Sequence, residues 1–160
     1  MNEIDRKVAV EEIKRLMARR LRAMDTKDWA LYDTCHAPDV TVDSFQGQPA
    51  QHRPAGNVAQ GKEGILQAIR NLVDGKVKLT TVHHAHTPEI DILSPTEARG
   101  VWAMEDHLSW QQGAAKGELH GYGHYHETYR KLPEGWRIQS RKLTRLRVDQ
   151  TPGFYDFFTL

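Results

Sequence analysis

The 160-residue chain lacks several features that would define its class at once. Its single cysteine, Cys35, excludes an intramolecular disulfide bond. No apolar run approaches the roughly 18 residues of a transmembrane helix, and the N-terminal stretch MNEIDRKVAVEE has no apolar region typical of a signal peptide. The 22 Lys and Arg residues nearly balance the 21 Asp and Glu residues, so the basic excess of nucleic-acid-binding proteins is missing. These absences predict a cytoplasmic protein that binds neither nucleic acid nor membranes.

The first half of the chain has the periodicity of helices. Apolar residues recur at three- and four-residue steps from Ala9 through Ile13 to Met24, which forms one apolar stripe. Helices are predicted over Asp5–Met24, from Asp28 to a stop at Pro38, and over Gly61–Val73. A short strand is predicted at Val40–Phe45, followed by a loop over residues 46–60.

From Lys76 onward the apolar period changes to two, which is typical of strands. Strands are predicted at Val77–His86, Glu89–Leu93, Ala98–Trp110, Glu118–Arg130 and Trp136–Val148. Short connections between them favour an antiparallel meander, and helices followed by strands indicate an α+β fold with the helices on one face of the sheet. We predict one domain over residues 1–160, whose apolar C-terminal tail, residues 149–160, covers a pocket or a subunit interface.

Asp25 and the histidines of TTVHHAHTPEID form the first candidate site. By itself, Asp25 fits a solvated helix end or an N-cap. In a regular strand His83 and Ala85 share one face while His84 and His86 share the other, so His83 and His84 cannot both enter one pocket. The strand pairs His84/His86 and His124/His126 leave metal binding open as an alternative, although cross-strand hydrogen bonds are the ordinary role of such residues.

Three motifs carry a family resemblance: MDTKDWALYDTCHAPDVTVD, TTVHHAHTPEID and YRKLPEGWRIQSRKL. In this order the chain, from about Ile4 to Val148, resembles the SnoaL-like branch of the NTF2-like superfamily. Within it, the chain is similar to the scytalone dehydratases, the hexachlorocyclohexane dehydrochlorinases and the bile-acid 7α-dehydratases. The resemblance implies an NTF2-like cone, with three N-terminal helices packed on a curved, mostly antiparallel sheet around a pocket. It also implies no cofactor, no metal and a homo-oligomer, with a trimer as first choice and a dimer as second.

The resemblance also implies the site. Asp25 and His83 correspond to the catalytic Asp–His pair, and Asp106 to a pocket carboxylate. The chain departs from scytalone dehydratase where Met24 and Ser44 stand in place of tyrosines, and where Trp102 replaces a histidine. The residues expected to bind substrate are Asp106, Tyr32, Trp102, Tyr125, Ser44 and Phe154.

An imidazole has an ordinary pKa of about 6.5, so it is suited to act as a general base near neutral pH when a carboxylate orients it. The expected function is therefore a cofactor-independent lyase, of the dehydratase type, or an isomerase acting on a hydrophobic ring compound. The alternatives are a non-catalytic ligand-binding or assembly domain and a metal-dependent enzyme that uses the strand histidines.

Overall fold

A computed structural model describes residues 1–160. The helices are α1 (Glu3–Asp25), α2 (Trp29–Thr34) and α3 (Gly61–Val73). The strands are β1 (His36–Asp43), β2 (Val58–Gln60), β3 (Thr80–Ile92), β4 (Glu97–Gln112), β5 (Ala115–Leu132) and β6 (Gly135–Gln150). Short 3₁₀ turns lie at Ala50–His52, Ala55–Asn57 and Phe154–Phe158. None of the helices combines the length and the apolar character that crossing a membrane requires.

Helix α1 forms where the apolar stripe predicts it. The side chain of Asn2 accepts a hydrogen bond from the backbone N–H of Asp5, whose carboxylate accepts one from Asn2 in return, so two N–H groups of the first turn are satisfied. Ile13 and Met17 on the apolar stripe are buried in the core. The helix ends at Asp25, and Lys27 then turns the chain with a positive φ of 57°.

The six strands form one sheet in the order β2-β1-β6-β5-β4-β3. All neighbours are antiparallel except β1 and β6, which are parallel. Helix α1 contacts β3 and helix α3 contacts β1, and the core lies between helices and sheet. The predicted α+β fold with a mostly antiparallel sheet is therefore confirmed.

Three local predictions are wrong. The strands predicted on either side of Pro88 are one strand, β3, whose pairing with β4 shifts between Ala85 and Pro88. Pro38 does not end α2 but lies within β1, where pairing with β6 shifts between His36 and Thr41, and such an irregularity accommodates the missing N–H of proline. The predicted loop over residues 46–60 contains strand β2.

The C-terminal tail packs on its own chain. Phe154 and Phe157 are buried, and the indole N–H of Trp110 donates a 2.8 Å hydrogen bond to the carbonyl of Phe154. The aromatic residues thus attach the tail to β4, next to the cavity described below.

Candidate active site

A cavity of about 370 Å³ lies between α1, α3, the inner face of the sheet and the tail. Apolar side chains such as Ile69, Leu72 and Leu143 form much of its wall. Its polar and charged lining residues are Arg20, Ser44, Gln46, Gln48, His83, Asp106, Tyr125, Arg145, Gln150 and Tyr155. The volume falls within the range of small-molecule sites, about 300–1,000 Å³.

His83, which lines this cavity, is in direct contact with Asp25, which lies in a neighbouring groove on the other side of the imidazole. His83 Nδ1 lies 2.6 Å from Asp25 Oδ1, and the backbone N–H of His83 donates a 2.9 Å hydrogen bond to Asp25 Oδ2. The hydroxyl of Thr81 donates a further bond of 2.8 Å to Asp25 Oδ1. The imidazole is well enclosed, with 8% of its side chain exposed, and Nε2 makes no hydrogen bond to the protein. Thr81 and His83 are two residues apart on β3, so one strand face supplies both side-chain contacts, while the backbone N–H of His83 at this edge strand supplies the third.

These contacts keep Asp25 ionised. Partial burial raises the pKa of Asp25, but the hydrogen bonds from His83 and Thr81 outweigh it and lower the pKa below its ordinary value. The position at the C-terminal end of α1 disfavours a negative charge, because the helix dipole is negative there. An ionised carboxylate accepts a hydrogen bond, so Nδ1 of His83 donates to it, and in the neutral form of the ring the lone pair then lies on Nε2.

Asp106 lies in the same cavity and binds Arg145 through two hydrogen bonds. Arg145 Nη1 donates to Asp106 Oδ1 at 2.6 Å and Nη2 donates to Oδ2 at 2.8 Å. Gly121 makes room for this pair, because a Cβ at that position would overlap the guanidinium of Arg145 and the carboxylate of Asp106. Burial lowers the pKa of Arg145, but Asp106 raises it above its ordinary value, so the guanidinium is charged.

Ser44 and Tyr125 line the cavity as well. Burial raises the pKa of the Tyr125 phenol, and it raises that of Tyr155, so both hydroxyls are protonated near neutral pH. Of the predicted substrate-binding residues, the structure thus brings Asp106, Ser44 and Tyr125 into one cavity with His83.

Trp102, which was expected to bind substrate, does not line this cavity, although it borders the neighbouring groove together with Asp25 and His83. Trp102 lies on the inner face of β4, but its indole N–H donates a 2.8 Å hydrogen bond to the hydroxyl of Tyr129. That hydroxyl donates to Glu127 at 2.6 Å, and Glu127 also accepts a 2.6 Å bond from Arg141. These four side chains form a buried hydrogen-bond network, so the indole N–H of Trp102 is already bound within the protein.

Tyr32 and Phe154 also lie outside the cavity. Tyr32 is buried against the ring of His36, at a centroid distance of 4.6 Å. Phe154 faces the core, whereas the next residue, Tyr155, lines the cavity. The tail therefore contributes an aromatic side chain to the cavity wall, one position later than predicted.

Sequence reasoning missed Arg20 and Tyr155 as lining residues. Arg20 is the alternative to Leu21 as the position at which the apolar stripe of α1 continues, and it is 3% exposed. The one available signal is the position of Arg20 beside Leu21 on the apolar stripe, four residues before Met24, which also lines the cavity.

No group of three or more His, Cys, Asp or Glu side chains has a geometry that could hold a metal ion. Six of the nine histidines lie on the opposite, outer side of the sheet. They are His84, His86, His107, His120, His124 and His126. Glu105 lies within 3.4 Å of His84 and His86 and 3.0 Å from His120. Three of the six histidines, His84, His86 and His120, therefore make cross-strand contacts with one carboxylate.

The fold, helices packed on one sheet around a pocket, is similar to that of an NTF2-like superfamily protein from Salmonella enterica, with a TM-score of 0.70 at 17% identity over 87% of this chain and 92% of that chain. The chain belongs to the family of SnoaL-like domains, whose match covers residues 7–142. The resemblance drawn from the sequence is thereby confirmed.

Individual relatives are distant in sequence. A probable cyclase of Gibberella zeae is 24% identical over 136 residues, which cover 84% of this chain and 89% of the relative. A crystal structure from Novosphingobium aromaticivorans, provisionally named a scytalone dehydratase, has a TM-score of 0.75 at 20% identity and covers 92% of this chain and 91% of its own. The hexachlorocyclohexane dehydrochlorinase LinA type 3 of Novosphingobium barchaimii has a TM-score of 0.75 at 14% identity, with 95% and 96% covered. At these identities the structures show a shared fold.

Proposed function

We propose that this protein is a cofactor-independent lyase or isomerase that acts on a hydrophobic ring compound, with His83 as general base and Asp25 as its positioning residue. The observation that carries the proposal is the 2.6 Å contact between His83 Nδ1 and Asp25 Oδ1 at the wall of a cavity. The names of the relatives, a cyclase, a dehydrochlorinase and a scytalone dehydratase, support this type of chemistry.

In the proposed elimination, Nε2 of His83 takes a proton from a carbon of the substrate. The electrons of the broken C–H bond form a C=C bond, and the hydroxyl on the neighbouring carbon leaves with its bonding pair. The imidazolium, which Asp25 stabilises, returns the proton to that hydroxyl, so the products are an alkene and water. In an isomerisation the same proton returns to a different carbon.

Charge that develops on a substrate oxygen needs hydrogen-bond donors. Tyr125, Tyr155 and Arg145 line the cavity and carry protons there near neutral pH. We propose that one or two of them hold the carbonyl or the leaving group, which adds electrostatic stabilisation to the effect of the base.

The test is to screen ring compounds that carry a hydroxyl or halide next to an acidic C–H bond, and then to compare His83→Ala with His84→Ala. A positioned base contributes about 10²–10⁴-fold to the rate. We expect His83→Ala to lose activity in that range and His84→Ala, on the outer face of the same strand, to keep it. Equal activities of the two variants would contradict the proposal. A His83→Ala variant that keeps full ligand affinity, with wild-type protein that returns its ligand unchanged, would favour the non-catalytic ligand-binding domain instead.

We also propose that the chain assembles as a homotrimer, with a dimer as second choice, and that its tail covers the cavity. Leu146 and Val148 near the end of β6 are exposed apolar side chains, which supports a subunit interface at this strand. Tyr155 lies at the cavity wall, which supports the proposal that the tail covers the cavity. Light scattering on the full chain measures its molar mass in solution. The mass of a monomer would contradict both the trimer and the dimer. A cytoplasmic location stays a prediction.

A further inference from the structure

Arg20 is a buried cation at the wall of the cavity. It is 3% exposed, and its Nε and Nη1 groups have no hydrogen-bond partner in the protein. Buried charges are normally paired, because an unpaired ion in a protein interior costs several kcal/mol of desolvation. Arg20 is therefore an exception that needs a physical reason.

No carboxylate of the protein pairs with Arg20. The two buried acids are already bound to other arginines: Asp106 to Arg145, and Glu127 to Arg141, with a shortest distance of 2.6 Å in each pair. The nearest aromatic contact is the ring of Tyr125, whose centroid lies 5.0 Å from the guanidinium carbon of Arg20. A neutral ring provides less stabilisation than a counter-ion.

The guanidinium also stays charged. Burial lowers the pKa of Arg20, but the nearby Tyr125, Tyr32 and Glu127 side chains raise it, and the net effect is a higher pKa than usual. A positive charge thus remains next to the cavity without a carboxylate of its own.

We propose that Arg20 binds a carboxylate of the ligand that occupies this cavity, so that the substrate is a ring compound with a negative charge. The inference rests on the proposed function, since it names the substrate class of the same site. A planar guanidinium with free N–H groups is the side chain best matched to a carboxylate.

The arrangement of α1 gives the ligand a direction. Arg20 precedes Asp25 by five residues, which is about 7.5 Å along a helix axis. Met24 lies between them and contributes an apolar surface to the cavity. A carboxylate at Arg20 would therefore leave room for a ring over Met24, with its far carbon near His83.

The first experiment compares carboxylates with their uncharged amides by calorimetry on wild-type protein. The matched probes are benzoate with benzamide, 2-naphthoate with 2-naphthamide, and anthracene-2-carboxylate with its amide, which cover one to three rings. We expect at least one carboxylate to bind about 10- to 100-fold more tightly than its amide, as a charged hydrogen-bond pair predicts. No preference in any of the three pairs would overturn the proposal.

The second experiment replaces the cation. Arg20→Met should abolish the preference for the carboxylate and raise the thermal midpoint of the ligand-free protein, because an unpaired buried charge is removed. Arg15→Met is the matched control, since it removes an equal charge from an exposed position of the same helix and should change neither quantity. A lower midpoint for both Arg20→Met and Arg20→Gln would assign Arg20 a structural role and overturn the proposal.

The two proposals fail separately. His83→Ala should keep the preference for the carboxylate, since Arg20 and the cavity are intact in that variant. An active enzyme without a carboxylate preference would overturn the role of Arg20 alone. A His83→Ala variant with full activity and an intact preference would overturn the role of His83 alone.

Discussion

Asp25 and Glu105 both contact histidines of strand β3, but they do so on opposite faces of the sheet and in opposite environments. Asp25 contacts one histidine, His83, at 2.6 Å, whereas Glu105 is shared between His84, His86 and His120 at 3.0 to 3.4 Å. The His83 side chain is 8% exposed, while that of His84 is 59% exposed. Asp25 and His83 thus form an enclosed pair with one fixed geometry. Glu105 and its three histidines form an open cluster in which water competes for the hydrogen bonds.

His83 and His84 are neighbours in the chain, yet the geometry of the strand gives them opposite surroundings. Successive side chains of a strand point to opposite faces, so one histidine enters the cavity and the next faces outward. Enclosure strengthens an electrostatic contact, because fewer water molecules screen it. The predictions below test whether enclosure separates the two carboxylates in function and in stability.

The largest expected effect is on catalysis. Asp25→Asn keeps the shape of the side chain but loses its charge, so it no longer stabilises the imidazolium of His83. We expect a loss of about 10²–10⁴-fold in kcat on a substrate found in the screen, whereas Glu105→Gln stays within about twofold. Steady-state kinetics of the two variants measure this, and equal losses would contradict the distinction between the two faces.

A second prediction compares Glu105 with the most enclosed carboxylate, Glu127. Glu127 binds Arg141 and Tyr129, and Glu127→Gln leaves a buried guanidinium without its counter-ion. We expect the free energy of unfolding to fall by about 3–5 kcal/mol, as for other broken buried pairs. Urea denaturation measures it, with Glu105→Gln as the control, for which we expect a much smaller loss because that carboxylate is open to solvent.

The double variant Glu127→Leu/Arg141→Met separates charge from packing. If the loss arises from an unpaired charge, the double variant should regain much of the stability, since apolar replacements of buried pairs are often neutral. A double variant as unstable as Glu127→Gln would show that the hydrogen bonds and the shape of the network matter more.

The smallest expected effect is in the dependence of stability on pH and salt. The pKa of Asp25 is lowered in the folded protein, so Asp25 stabilises the fold above its unfolded pKa of about 3.9, and this contribution is lost as the pH falls through the folded pKa. The pKa of Glu105 is also lowered, chiefly by hydrogen bonds from His120 and His84, but this carboxylate is open to solvent.

Thermal midpoints of wild type, Asp25→Asn and Glu105→Gln between pH 7 and about pH 3 measure both contributions. The difference in thermal midpoint between wild type and Asp25→Asn should shrink at low pH. At neutral pH it should persist in about 1 M salt, where the screening length is about 3 Å. The difference between wild type and Glu105→Gln should disappear in that salt. Equal salt sensitivity would show that Asp25 is as well solvated as Glu105.

Local features of the sequence were enough for much of the fold. The stripe through Ile13 and Met17 predicts α1, and the change to a period of two predicts the sheet. Alternation also separates His83 from His84, and it agrees with the faces that the structure assigns to them. These features depend on neighbouring residues, so they can be read without knowing how distant segments pack.

Residues that depend on distant partners could not be predicted in the same way. Arg145 is 39 residues from Asp106, and only the pairing of β4, β5 and β6 brings the two together over Gly121. Trp102 shares the inner face with Asp106 but is held by Tyr129, whose position depends on β5.

The α+β order of elements, the separation of the two strand faces and the residue types of an acid–base pair all follow from local patterns in the sequence. The contact between Asp25 and His83, the position of Tyr155 at the cavity and the burial of Arg20 depend on how distant segments pack. The physical reason is that periodicity fixes the face on which a side chain lies, whereas its partners and its burial depend on strand register and on which helix covers it.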